Sequence, residues 1–137
     1  MLFFSFVSVA FNACTGSKTM TSDELRSDIR SALSLATETN LFIAQIQNDR
    51  GTRSFDVGHL GYLRDEVLRS VKELRESQAD PAMAQSVGTC TAQLNSLARE
   101  IAILQDKVKR NDAGALSASK ARVEDIHDAL TILETGP

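Results

Sequence analysis

The sequence predicts an all-α protein, an antiparallel up-down-up-down four-helix bundle with heptad-like seams. Three observations predict it. Apolar residues recur three or four apart over long stretches, the rhythm of one helix face. Helix breakers are scarce: Pro81 and Pro137 are the only prolines, and only Gly51, Gly58, Gly61, Gly88 and Gly114 lie between the N-terminal segment and the tail. The connections between periodic stretches are short, which makes consecutive helices antiparallel neighbours. The alternative architecture is a pair of helical hairpins that complete their core by dimerising.

The first helix starts at a capping box, Thr21 with Glu24, in which each residue satisfies a backbone N–H of the other. Its stripe is Leu25, Ile29, Ala32/Leu33, Ala36, Ile43 and Ile46, with Asn40 as a polar interruption. Asn48 to Ser54 ends it, with Gly51 as the natural turn residue. A second helix is expected from about Phe55 to Ser77 with Leu60, Leu63, Val67, Val71 and Leu74 inward; Gly58 and Gly61 weaken its first turn, so that end is expected to fray. Asp80-Pro81 restarts the chain, with Asp as N-cap and Pro at the first helical position.

The third helix carries the cleanest seam: Met83, Val87, Cys90, Leu94, Leu97, Ile101, Leu104 and Val108 alternate spacings of four and three. Asn111 to Gly114 is the next turn, and a fourth helix over about Ala115 to Glu134 turns Leu116, Val123, Ile126, Leu130 and Leu133 inward. The bundle domain is therefore expected over residues 21–137.

Bulk properties fit one domain with one modest core. The chain has 137 residues, 42% hydrophobic and 24% charged, and a net charge of −3. Acidic and basic residues are interleaved without a basic stripe, so no nucleic-acid partner is expected. Outside the N-terminal segment only Phe42, Phe55 and Tyr62 are aromatic. Aliphatic packing of this kind suits a slender bundle, and no small-molecule substrate is identified.

Residues 1–17 carry no charged side chain, and Leu2 to Phe11 is almost wholly apolar. That stretch is shorter than the ~20 residues a helix needs to span a bilayer, but it has the length of a signal-peptide apolar region. Phe11-Asn12-Ala13-Cys14 followed by Thr15-Gly16-Ser17 resembles the lipobox of bacterial lipoproteins. The resemblance covers the first 17 residues only. It implies a signal-peptide-like segment over 1–13, lipid attachment at Cys14, a flexible tether over 14–20, and a location in the bacterial cell envelope with the membrane as a partner. Phe11 stands where that pattern has Leu and Asn12 where it has a small residue. A signal segment without lipid, and a cytoplasmic coiled-coil-like adaptor with a Phe-rich tip, remain the alternatives.

Candidate chemistry is sparse. Cys90 falls on the third-helix seam, where a cysteine serves as a small buried hydrophobe; the functional reading is a reactive thiol or a disulfide to Cys14. Glu124 and His127 have the Glu-x-x-His spacing used by carboxylate-bridged di-iron bundles, and Asp56 with His59 is a looser echo. Such a site needs two more inward carboxylates, yet Glu38 lies opposite the first stripe, Glu100 only flanks the third, and Glu124 is off the fourth. Gln47, Arg50, Gly51 and Ser54 faintly resemble the Gln-x-x-Arg-Gly-x-Ser stretch of nitrate/nitrite-sensing helical domains, with one extra residue, Arg53, before the serine. Lys107, Lys109 and Arg110 suit a helix C-terminus. No phosphate loop, Gly-x-Ser-x-Gly element or zinc spacing is present. The sequence thus points to a non-catalytic bundle without a cofactor, acting through a protein partner or self-association. The alternative is a ligand-sensing or metal-binding bundle, in which Arg50 and Arg53, or His127 and Glu124, converge on a cavity.

Overall fold

A computed structural model of the chain describes residues 19–136. Four long helices, α1 (Ser22–Gln47), α2 (Arg53–Glu76), α3 (Ala84–Lys109) and α4 (Leu116–Thr135), form an all-α four-helix bundle. Two-residue strands β1 (Thr19–Met20) and β2 (Gln78–Ala79) and a 3-10 turn at Ala113–Ala115 complete the described chain. Neighbours run antiparallel, with cross-links that join early residues of one helix to later residues of its neighbour. Arg30 donates to Glu134 and Gln47 to Ser117 between α1 and α4, while Gln105 of α3 donates to the Val57 carbonyl of α2 and Arg122 of α4 to Glu100 of α3. Backbones approach most closely between α2 and α3 and between α1 and α4.

The capping box is formed as expected. The Glu24 N–H donates to Thr21 Oγ1 at 3.2 Å and the Thr21 N–H to Glu24 Oε2 at 2.8 Å. Two residues ahead of the box form a short strand. Thr19 and Met20 pair in parallel with Gln78 and Ala79, and Met20 is buried in the same core cluster as Leu25. Those two apolar residues flank the cap as a hydrophobic staple does, which fixes how the chain enters α1. Residues 1–18, including Cys14, lie outside the described residues.

The expected stripes line one continuous core, with a change in α1. Position 39, not 40, is its polar member: Thr39 is wholly buried between Ala36 and Ile43, and its hydroxyl donates to the Leu35 carbonyl at 2.8 Å. Leu25, Ile29, Ala32, Ala36, Thr39, Ile43 and Ile46 then alternate four and three without a break, and Asn40 sits beside the seam, half-buried. In α4 the same rhythm runs through wholly buried Ser119, between Leu116 and Val123. The α3 seam is as expected, with Cys90, Leu94, Leu97, Ile101 and Leu104 fully inaccessible and Met83 and Val87 partly covered at the start.

Helix ends depart from expectation in three places. The residue that turns the chain out of α1 is Asp49, with φ 51°, rather than Gly51; Asp is among the side chains that tolerate this region best. Helix α2 begins at Arg53, with Thr52 accepting from the Phe55 N–H, and is continuous through both glycines expected to fray it. At Gly61 the missing side chain leaves room for the Gln105 amide, which would stand 3.1 Å from a Cβ there and donates to the Val57 carbonyl at 2.9 Å. Asp80 does accept from a backbone N–H, that of Ala82 at 3.0 Å, but it caps a preliminary turn, and α3 starts only at Ala84.

Candidate functional site

A group of polar side chains gathers at the end of the bundle that holds the α1–α2 and α3–α4 turns. Both turns pass through a left-handed residue, Asp49 at φ 51° and Asn111 at φ 59°, and so bring Asp49, Asn111 and Asp112 to one place. Between them lies a cavity of about 690 Å³. Gln47, Asp49, Arg53, Asp56, Asn111 and Asp112 supply its polar lining, and Ile46, Val108 and Leu116 an apolar wall.

Asp56 is the most constrained of these groups. It is only 5% exposed, and its Oδ1 is buried with no hydrogen-bond partner. It fits because residue 51 is glycine, since a Cβ there would meet Oδ1 at 2.5 Å. Burial, then repulsion from Asp49, raises the Asp56 carboxyl above the usual aspartate range, and the nearby His59 only partly offsets this. Among the described residues, Asp49, Asp56 and Asp112 have no ion-pair partner, and neither does Arg53.

A second feature lies on the α1–α2 face at the same end. All three aromatic side chains of the described residues meet His59: Phe42 at 4.3 Å between ring centroids, Phe55 stacked at 5.8 Å and Tyr62 at 5.9 Å. Phe42 is buried, but Phe55 is 54% exposed, Tyr62 55% and Leu41 68%. Glu38 stands beside the cluster, with Oε1 3.4 Å from His59 Nε2.

The di-iron set does not assemble. Glu124 lies near Lys120, His127 near Asp128 on its own helix, and no group of three His, Cys, Asp or Glu side chains converges as metal ligands among the described residues. Glu100 is not a flanking surface acid as its spacing suggests. It is 5% exposed and receives two hydrogen bonds from Arg122, at 2.7 and 2.8 Å. Burial alone would raise its carboxyl, but the bonds from Arg122 and Ser119 and the charges of Arg122 and Lys107 hold it below the usual range. Lys107 closes the adjoining turn, donating to the Ala115 carbonyl and to Ser119 Oγ.

Of the sensing-domain resemblance, Gln47 and Gly51 line the cavity together with the extra residue Arg53, while Arg50 and Ser54 do not. Cys90 is free and inaccessible; burial, then the Asp28 charge, pushes its thiol up to about 11, so at neutral pH it is a protonated core residue. Sequence reasoning missed Ser119 altogether and weighed Asp56 and Glu100 only as di-iron ligands, not as buried carboxylates. A usable signal existed for two of them, because Asp56 and Ser119 occupy seam positions where the four–three rhythm calls for an apolar residue. No helix of the described residues is long and apolar enough to cross a membrane. Comparison with known protein families, curated proteins and solved structures finds no match.

Proposed function

We propose that the protein is a non-catalytic helical bundle that works through protein contacts and is held at the bacterial cell envelope by lipid on Cys14. The aromatic face supports the contact half of this reading. Phe55, Tyr62 and Leu41 expose large apolar surface, which is costly in water unless a partner covers it, and aromatic side chains are the anchors that partner interfaces favour. Glu38 at its edge suits a partner segment that sets a basic side chain beside an apolar one. The lipobox-like Cys14 supports the address, since the multiple chains of a processed lipoprotein anchor stably where a single chain does not.

One experiment tests both halves. The full gene is expressed with a clickable fatty acid, and a photo-crosslinking amino acid is placed at position 62. The expected product carries label, loses it in Cys14→Ser, and crosslinks to a discrete partner band that Phe55→Ser removes without lowering the melting temperature. Unlabelled product in the soluble cytoplasmic fraction overturns the address, and absence of any discrete crosslink overturns the contact face.

A further inference from the structure

The cavity at the turn end goes beyond that reading, and its chemistry is independent of the aromatic face. Three carboxylates and one guanidinium line it, and among the described residues none of the four is engaged in an ion pair. An acidic cluster alone would be an ordinary solvated surface. Asp56 makes this one different, because it lines the cavity while nearly withdrawn from solvent, with no ion-pair partner among the described residues and Oδ1 buried without a hydrogen bond. A buried carboxylate oxygen without a donor is destabilising, and natural structures satisfy such groups with protein, water or ligand.

We propose that this cavity binds a small organic ammonium compound with an apolar body. An ammonium brings three N–H donors and a positive charge, which is what Asp56, flanked by Asp49 and Asp112, lacks. Oδ1 itself is sealed beside Gly51, so the ammonium answers the charge of the carboxylate from the cavity side, where Asp56 lines the wall. A bare metal ion fits less well, because the three acids do not converge as a ligand set. The apolar part of the ligand lies against Ile46, Val108 and Leu116. The volume, about 690 Å³, is within the range of small-molecule sites, roughly 300–1,000 Å³. Arg53 on the same wall sets polarity, since it opposes a second cationic end and accommodates a neutral or anionic one.

The test is titration of the full chain with n-hexylammonium, followed by calorimetry and amide NMR, with 1-hexanol and hexanoate as neutral and anionic counterparts of the same body. Hexylammonium is expected to saturate one site with a dissociation constant of about 1 mM or tighter, shifting amides of residues 46–56 and 108–116, and to bind at least about ten-fold better than either counterpart. Asp56→Asn is expected to weaken it about ten-fold while leaving the melting temperature equal or higher, because a buried charge is removed. Asp112→Asn, at an exposed position, gives a smaller weakening and serves as the second variant should the first disturb the fold. Absence of saturable hexylammonium binding, equal binding of 1-hexanol, or affinity unchanged in both variants overturns the proposal.

Discussion

Asp56 and Gly51 form a coupled pair whose energetics follow from one close approach. The Asp56 carboxylate occupies the space where any other residue at 51 would place its Cβ. Gly51 has an ordinary backbone conformation, so substitution there meets Asp56 and not backbone strain. Gly51→Ala is therefore expected to cost about 1 kcal/mol in the natural sequence and close to nothing with Asp56→Ala, a coupling readable in a double-mutant cycle of urea unfolding. Equal costs in the two backgrounds would sink this account. The residue scale also shows where the sequence was hard to read. Asn40 draws the eye because it is a polar amide in a helix stripe. The position that carries the seam is Thr39, which is buried at little cost because its hydroxyl bonds within its own helix. Glu100 was illegible for a different reason: its burial depends on Arg122, twenty-two residues on, which no local spacing reports.

Among the helices, legibility follows the strength of the periodic signal. The α3 seam has a residue at every expected position and is buried along nearly its whole length, because a long four–three alternation has one way to meet three partner helices. Ends are less legible, since a cap is decided by a few side-chain bonds. The glycines of α2 show why propensity alone misleads. A Cβ added at Gly58 would meet nothing within 4 Å, whereas one at Gly61 would face Gln105. Gly58→Ala is thus expected to stabilise by about 0.5–1 kcal/mol, the helix-propensity difference, whereas Gly61→Ala gains less or loses because it crowds the Gln105–Val57 bond. Urea midpoints of the two single variants check this order. A Gly61→Ala gain equal to that of Gly58→Ala would show that Gln105 does not need the gap.

At the scale of the whole molecule, three carboxylates on three helices set how stability responds to acid. Asp28 on α1 is raised by burial, then by the charges of Glu73 and Glu24; Asp56 on α2 is raised by burial and Asp49. For each, the folded state holds its proton more tightly than the unfolded chain. Their stabilising contribution is full below the ordinary value of 3.8 and is lost as pH rises through the folded value. Glu100 on α3 is held low against burial by Arg122, Ser119 and Lys107, so its contribution is present above the ordinary value of 4.5 and lost as pH falls through the folded value. The opposed slopes place the combined optimum of these three groups on the acid side of neutrality. The double variant Asp28→Asn/Asp56→Asn is expected to be more stable than the natural chain at pH 7 and to lose the decline that sets in above the ordinary aspartate value of 3.8, while keeping the fall in acid that belongs to Glu100. Adding Glu100→Gln should then remove much of that fall, at the cost of lower stability at pH 7, because Arg122 loses its carboxylate partner. Urea midpoints measured across the acid-to-neutral range check both limbs. A double variant whose profile runs parallel to that of the natural chain would show that Asp28 and Asp56 do not carry the upper limb.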